Sequence, residues 1–478
     1  MINEHTSNAF QEQQTMVSLA TPLGEGGIGK IVVSGRHALR IINKVFQGKG
    51  IADLTEARSH KLYYGYIKDR EQKIDEVIVH IIRREDSFTG EDVAEINCHG
   101  GIRVLMRMYE CVQAAGAEGA PWNSLLARSF EHDRIDVVQK EALQELVQAR
   151  TRLSAKVLLD QYAGALSGTL KQGLEVLEEL KMSGTAGAAH HQSPTPSPND
   201  GKGTGEEMNV LPRKSSVCVT ALTNLIRGLL ETASFGMALT TPQVLVILGK
   251  PNVGKSTLIN AILGEERMLV HHEPGTTRDY VSEVISVEGI PFELVDTAGI
   301  READDKLEAM SIEITQEQLR RADKVIAVFD NSRPFDKEDG GILVALHAWL
   351  MSKTSGDVPQ KAHARAILPV INKCDLPATL DKTRIESVLQ QPCCSLSALN
   401  KDGFDDLHKR LVQEFDTVYH PMKPVVFNKR QYHLLTKAEV FVEQEKECLS
   451  EKKGTVKTIQ TIETLNNILM ACLNRSAP

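Results

Sequence analysis

The chain has 478 residues, 41% hydrophobic and 25% charged, with a formal net charge of −8 and eight cysteines. At roughly 150 residues per domain this is about three domains of ordinary globular composition, which excludes a wholly disordered, collagen-like or disulfide-stapled chain. No apolar run reaches the ~18 residues of a membrane helix, the negative balance argues against wholesale wrapping of nucleic acid, and the polar start Met1–Gln14 does not read as a signal or transit peptide.

Residues 16 to about 100 read mostly as strands: Met16–Thr21, Ile28–Ser34, His60–Lys68, Asp75–Arg84 and Val93–Cys98, with a helix over Gly101–Ala115. This is an α+β pattern. From Val137 the composition shifts to helix formers, giving predicted helices over Val137–Ala149 and Ser154–Lys181. Ser183–Glu207 is Gly, Ser, Thr and Pro rich and is expected to be a flexible insertion, His190 and His191 being a solvated pair within it. Helix resumes over Ser216–Ala233. Residues 243–416 alternate strand and helix as in a doubly wound α/β domain, and Gln431–Leu473 returns to helix formers. The expected fold is therefore multidomain: an α+β domain over 1–136, an all-α helical domain over 137–242 and 417–478, and an α/β domain over 243–416 inserted into it. The eight cysteines lack metal-ligand spacing and fit a reducing compartment; the adjacent Cys393 and Cys394 read as inert core thiols.

Gly249-Lys-Pro-Asn-Val-Gly254-Lys255-Ser256 matches the phosphate-binding loop G-x-x-x-x-G-K-[ST], after a predicted strand and before a predicted helix. Backbone N–H groups of such a loop close around phosphates at a helix N-terminus. Lys255 is expected to reach the β- and γ-phosphates and Ser256 to ligate Mg²⁺. Asp296-Thr297-Ala298-Gly299 supplies a second Mg²⁺ contact and a γ-phosphate sensor. In Asn372-Lys373-Cys374-Asp375, Asp375 can accept two hydrogen bonds from guanine; adenine would leave that carboxylate unpaired. Asn372 supports the loop, the Lys373 stem covers the base, and Ser397-Ala398-Leu399 offers a backbone contact. In this order the motifs specify GTP. The residue that places the attacking water stays open on spacing alone: Ile300 occupies the position where other GTPases carry Gln, and Glu302, Asp304, Asp305 and Glu308 are all candidates.

His271-His-Glu-Pro-Gly-Thr-Thr277-Arg-Asp-Tyr280, the run Asp296–Glu308 and Ser87-Phe-Thr-Gly-Glu-Asp-Val-Ala-Glu-Ile-Asn-Cys-His-Gly-Gly101 together resemble the tRNA modification GTPase family called MnmE or TrmE. The resemblance covers most of the chain. It implies a folate-binding N-terminal domain, a helical domain with an inserted GTPase domain, homodimerisation through the N-terminal domain, and an FAD-dependent partner of the MnmG (GidA) type. The pair adds an aminomethyl-type group, or its carboxymethylated form, to C5 of the wobble uridine of certain tRNAs, in the cytoplasm and without a membrane. The resemblance also implies K⁺ in place of an arginine finger. It puts Asn252 and the segment His271, His272, Glu273, Pro274, Gly275, Thr276 and Thr277 around the nucleotide, with Asn252, His271, Glu273 and Thr276 toward K⁺ and Thr277 on Mg²⁺. Val253, Gly254 and Thr257 complete the phosphate loop, and Glu308 becomes the residue that orients water. Glu95 and Arg134 fall at folate positions, for 5-formyltetrahydrofolate or a related folate.

Several positions depart from the family pattern. Gly24–Gly29 fits G-x-G-x-x-G, but a strand follows it, so dinucleotide binding is rejected. Val32 stands where the family places a folate-contacting arginine. The segment Pro121–Leu125 loses the family's R-P-G-E-F-type run, and the tail ends Leu473–Pro478 rather than in C-[IL]-G-K. Cys472 lies one place before the family cysteine, about 100° of helix rotation away. These departures motivate an alternative reading, a GTP-operated regulatory or assembly switch without the tRNA chemistry. A ribosome-assembly role is weaker, since no G-x-x-G RNA clamp or second phosphate loop is visible. No basic run in the sequence locates an RNA-binding surface.

Overall fold

The computed structural model describes residues 14–189, 210–266, 283–295, 319–352, 366–446, 449 and 456–474. The chain divides into two compact units, Met1–Lys140 and Glu141–Pro478.

The first unit contains the strands β1 (Met16–Leu19), β2 (Ile28–Ser34), β3 (Phe46–Gly48), β4 (Lys61–Asp69), β5 (Gln72–Ile82), β6 (Val93–His99) and β7 (Glu118–Gly119). They form one sheet in the order β3-β4-β5-β6-β2-β1-β7. Alternation decides which face is covered. Val17, Ile31, Val33, Val79, Ala94 and Ile96 point to one side and are buried against helices α1 (Ala38–Val45) and α2 (Ile102–Ala114). Lys30, Val32, His80 and Glu95 alternate with them on the opposite side of the same strands. Helix α1 has only eight residues, too few for the sequence pattern to reveal; its apolar positions Ala38, Leu39, Ile41 and Ile42 are all buried. Helix α3 (Asn123–Glu131) is a second element that the sequence pattern does not predict, and α4 (Val137–Val147) starts at the predicted residue.

The second unit holds helices α5 (Arg152–Tyr162), α6 (Ala165–Ala189), α7 (Val210–Glu231), α8 (Ala233–Thr240), α9 (Lys255–Glu266), α10 (Lys337–Met351), α11 (Thr383–Leu389), α12 (Phe404–Val412), α13 (Lys429–Gln444) and α14 (Val456–Leu473). Its strands are β8 (Gln243–Leu248), β9 (Glu283–Val287), β10 (Ile290–Leu294), β11 (Lys324–Asp330), β12 (Ala366–Asn372) and β13 (Cys394–Ser395). They form a sheet in the order β13-β12-β11-β8-β10-β9, parallel except for the β9–β10 hairpin. That hairpin turns at Glu288 and Gly289, both at positive φ as a two-residue turn of this kind demands. The central strand β11 is buried at every position, as expected of a parallel strand covered on both faces. Leu258, Ile262, Leu407 and Leu411 from α9 and α12 cover one face; Leu343, Leu346, Ile385 and Leu389 from α10 and α11 cover the other.

Helices from both sides of the sheet in sequence also pack on one another. A methyl group on Gly173 of α6 would lie 3.3 Å from Leu469 of α14 and 3.7 Å from Leu222 of α7. Arg227 of α7 pairs with Glu439 and Glu443 of α13 at 3.1 and 3.3 Å. Glu141 accepts hydrogen bonds from Asn428, Arg430 and Gln431, and Arg430 also donates to the carbonyls of Ala471 and Cys472 at the end of α14.

Three helix boundaries differ from expectation. The helix predicted over Ser154–Lys181 breaks between α5 and α6, because Gly164 adopts φ +106°. Helix α6 runs through Ala189, into the segment expected to be irregular. Helix α7 begins at Val210 rather than Ser216, since Pro212 in a first turn removes no intrahelical hydrogen bond. Residues 190–209, with His190 and His191, lie outside the described residues.

Gly236 of α8 gives a direct test of the packing beneath the sheet. Its missing side chain lets α8 approach the Val425–Val426 segment, and a Cβ there would sit 2.1 Å from the Val426 carbonyl oxygen. Gly236→Ala is expected to destabilise the second unit by about 1–3 kcal/mol, read as a lowered thermal unfolding midpoint with the first unit unaffected.

Candidate functional site

The chain between β8 and α9 closes on itself around a half-buried cation. Lys255 Nζ donates to the carbonyl oxygens of Gly249 and Lys250 at 2.8 and 2.7 Å. No carboxylate pairs with it among the described residues, and burial holds its pKa below the ordinary lysine value. A desolvated ammonium folded into a turn of backbone at a helix N-terminus fits a phosphate group. The glycines are steric requirements: a Cβ on Gly249 would lie 2.5 Å from the Val328 carbonyl, and one on Gly254 would lie 2.2 Å from Asn372 Nδ2. Gly254 also sits at φ +97° and Asn252 at φ +63°. Ser256 and Thr257, in the first turn of α9, are exposed, whereas Val253 is buried under the loop. Asn252 is likewise exposed, on the turn that precedes α9.

The second loop follows β12 and is tied to the first at two points. Asn372 Nδ2 donates to the Val253 carbonyl at 2.9 Å while its Oδ1 accepts from the Ala398 N–H at 2.9 Å. Lys373, at φ +63°, donates to the Asn252 carbonyl at 2.7 Å and pairs with Asp330 at 2.7 Å. Asp375 accepts from Ser397 Oγ at 2.5 Å, which aims its carboxylate, and Ser397 in turn bridges to Asp402. Leu399 is 75% exposed. The structure therefore brings together Asn252, Val253, Gly254, Lys255, Asn372, Lys373, Asp375, Ser397 and Ala398 in one connected frame. His271, His272, Glu273, Pro274, Gly275, Thr276, Thr277, Asp296, Thr297, Ala298, Gly299 and Glu308 lie outside the described residues.

Four further residues belong to the frame although no sequence motif contains them in this role. Asp330, 4% exposed at the end of β11, holds Lys373 with one oxygen and accepts from Ser332 with the other. Burial pushes the Asp330 carboxyl up, but the bonds from Lys373 and Ser332 outweigh it and hold it below the usual carboxylate range. On the opposite side, Lys250 reaches Asp336 at 2.5 Å and Asp339 at 2.9 Å, and those two residues form the capping box of α10. The D-x-x-D spacing before a helical run is the available signal for that pair; for Asp330 it is a single acid ending an otherwise apolar strand.

In the first unit, Glu95 accepts from Lys30 at 3.0 Å and His80 at 3.1 Å. Burial opposes its charge, yet these partners keep its carboxyl below the usual range. Val32 lies opposite Glu95 in register. Arg134 is turned onto the carbonyls of Arg84 and Glu85 at 2.6 and 2.9 Å. Each predicted folate residue thus has partners within the chain, Arg134 through one terminal nitrogen of an otherwise exposed side chain. The Ser87–Asp92 run is a structural corner. Ser87 Oγ donates to the Glu91 carbonyl, Glu91 accepts from Ser34 and faces Arg128, and Gly90 at φ +70° leaves no room for a Cβ beside His132. In the second unit, Cys393 and Cys394 are buried free thiols pushed up to about 12, in accord with inert core cysteines.

Two substitutions test the frame. Asp375→Asn should weaken GTP binding by about two orders of magnitude while improving xanthine nucleotide binding, because the amide matches a base with a carbonyl in place of the exocyclic amine. Asp330→Asn leaves Lys373 without its counter-charge and should weaken GDP and GTP equally, by about tenfold; equilibrium titration with fluorescent nucleotides measures both.

The family profile for "GTP-binding protein TrmE N-terminus" matches residues 15–134, and that for "50S ribosome-binding GTPase" matches residues 244–373. The tRNA modification GTPase MnmE of Bacillus cytotoxicus is 33% identical over 435 residues, covering 89% of this chain and 88% of that protein. The MnmE of Geobacillus kaustophilus is 33% identical over 443 residues, covering 90% and 89%. Among solved structures, the G domain of the T. maritima FeoB iron transporter aligns at 22% identity and a TM-score of 0.25, covering 36% of this chain and 98% of that one. With a guanine-nucleotide frame built around Lys255 and Asp375, and this likeness running through nearly the whole length of both chains, the protein is a GTP hydrolase belonging to the MnmE family of tRNA modification GTPases.

Proposed function

We propose that the protein hydrolyses GTP to drive modification of tRNA, acting with an FAD-dependent partner of the MnmG (GidA) type at C5 of the wobble uridine. The observation that carries this reading is the coupling of the two nucleotide loops through Asn372 and Lys373 in a chain that matches MnmE proteins over nearly its whole length. The proposed organisation has an N-terminal domain over 1–136, and a helical domain over 137–242 and 417–478 that receives the GTPase domain, 243–416, as an insertion. The packing of α6 and α7 against α13 and α14 supports that arrangement, since helices on both sides of the sheet in sequence share one core. Homodimerisation and a cytoplasmic location complete the reading; among the described residues no helix is long and apolar enough to cross a membrane.

The chain's own residues divide the work. Lys255 and the backbone of 249–254 hold the β- and γ-phosphates, Asp375 selects guanine, and Ser256 and Thr277 hold Mg²⁺, which supplies charge neutralisation when bound. Asn252, with His271, Glu273 and Thr276, holds K⁺, and Glu308 orients water. The role of Asn252 is supported by its place: its carbonyl is fixed by Lys373 and its φ by the loop, while its side chain is left at the exposed rim. Glu95 and Arg134 remain the proposed folate contacts, and no step is routed through a folate.

A regulatory switch is the second reading. It is favoured by Cys472, which is fully buried under Arg430 with its thiol pushed up to about 12, chiefly by burial, and so is no nucleophile where it stands.

Hydrolysis measured in KCl and in NaCl at equal ionic strength tests the motor. A K⁺-specific stimulation of at least tenfold, lost in Asn252→Ala with GDP affinity retained, is the expected result. Equal rates in the two salts would remove the cation role and favour the switch reading.

A further inference from the structure

The first unit holds a cleft lined by none of the residues given a role above. It has a volume of about 380 Å³ and is lined by Gln47, Lys49, Tyr66, Lys68, Glu71 and Lys73, at the β3 edge of the sheet and the β4–β5 hairpin. These residues are scattered between positions 47 and 73, which is why no basic run announces them. The strands bring them together: Gln47 pairs with Tyr66, and Lys68 pairs with Lys73 across the hairpin.

Three properties define what the cleft takes. The Lys49, Lys68 and Lys73 ammoniums have no carboxylate partner among the described residues, and Glu71 is the only acid in the lining. Second, two tyrosine rings stand at alternate positions on the same face of β4, their centroids 6.0 Å apart. Third, the lysines are held over those rings. Lys49 Nζ lies 4.7 Å from the Tyr64 centroid and 5.5 Å from that of Tyr66, and Lys73 Nζ lies 3.1 Å from that of Tyr66. In a chain of net charge −8, three cations against one acid in the lining, with Glu76 already engaged by the Tyr64 hydroxyl at 2.9 Å, select an anionic partner. Interleaved rings select one with flat faces as well as charges, since a base can take the ammonium's place on the ring while the freed lysine moves to a phosphate.

We propose that this cleft is a contact surface for an RNA strand, with phosphates on Lys49, Lys68 and Lys73 and a base stacked on Tyr66. The reading of the chain as a tRNA-modifying GTPase enters only in the choice of probe. The cleft grips backbone and one base face and so contributes affinity rather than sequence choice.

The test uses the full chain and an unmodified tRNA transcript labelled at its 5′ end, followed by fluorescence anisotropy over a series of KCl concentrations. Lys49→Ala/Lys73→Ala is expected to weaken binding about tenfold near physiological salt and to make the salt dependence shallower by about 1.4, or 0.7 per lost contact. Tyr66→Leu should weaken binding several-fold with the salt slope unchanged. Lys49→Arg/Lys73→Arg should bind like wild type. GTP hydrolysis should be unchanged in all three, and the thermal midpoint in the two lysine variants, since Lys49 and Lys73 are exposed. Wild-type affinity and slope in the alanine double variant, with wild-type protein binding tRNA, would overturn the cleft assignment alone. Failure of the wild-type chain to bind tRNA would overturn the assignment and the tRNA reading with it. RNA binding left intact while self-association in sedimentation is lost would make the cleft a protein–protein face and overturn the assignment.

Discussion

The nucleotide site depends on the close approach of two loops at one side chain. Asn372 fits between them because residue 254 has no Cβ, and from there it holds the Val253 carbonyl with one end and the Ala398 N–H with the other. This single amide joins the phosphate loop, the base loop and the loop after β13. Around it, two lysines brace the phosphate loop from opposite sides: Lys373 against Asp330, and Lys250 against Asp336 and Asp339. Each is an ion pair with at least one partially or fully buried member. Each therefore contributes more to fixing geometry than to net stability, because desolvation offsets much of the attraction. The consequence is preorganisation. Lys255 is held with its charge desolvated and without a counter-ion among the described residues, a state that a phosphate relieves.

The parallel sheet explains why this constellation can be built. Strands β8, β11 and β12 lie side by side, so the loops at their carboxyl ends open on one edge. The phosphate loop follows β8, Asp330 ends β11, and Asn372 ends β12. Three segments far apart in sequence are thereby delivered to within hydrogen-bond distance by strand register alone. The first unit uses its sheet differently. Its antiparallel strands bury one face against α1 and α2 and leave the other bearing Lys30, His80 and Glu95, with Tyr64 and Tyr66 further along the same face.

Much of this is legible in the residues themselves. The doubly wound domain announces itself by apolar runs punctuated with a glycine loop, because parallel strands buried on two faces are continuously hydrophobic. Gly249, Gly254, Lys255, Asn372 and Asp375 are readable because phosphate and guanine recognition demand those residue types at those places. Asp330 and Lys250 are not, since their roles consist of contacts across 43 and 86 residues that only strand register creates. The break at Gly164 is hidden because a glycine within a helical pattern is usually tolerated, and only its positive φ distinguishes a stop. Short elements such as α1 fall below the length at which periodicity speaks. The Ser87–Asp92 run carries the family likeness strongly, yet its side chains build a corner of the fold; a specific sequence signal there marks structure rather than chemistry. Glu95 and Arg134 match folate positions by resemblance alone, and only the structure shows their partners within the chain: Lys30 and His80 for Glu95, the carbonyls of 84–85 for Arg134.

The central claim is that this nucleotide frame powers chemistry on the wobble uridine. Nucleoside mass spectrometry of tRNA from cells lacking the protein, and from the same cells supplied with wild type or with Gly254→Val, tests it most directly. The account predicts that the C5-modified wobble uridine disappears without the protein, returns with wild type, and stays absent with Gly254→Val, whose side chain would displace Asn372 and open the frame. An unchanged nucleoside profile in cells lacking the protein would contradict the account, and would leave a GTPase whose output lies elsewhere.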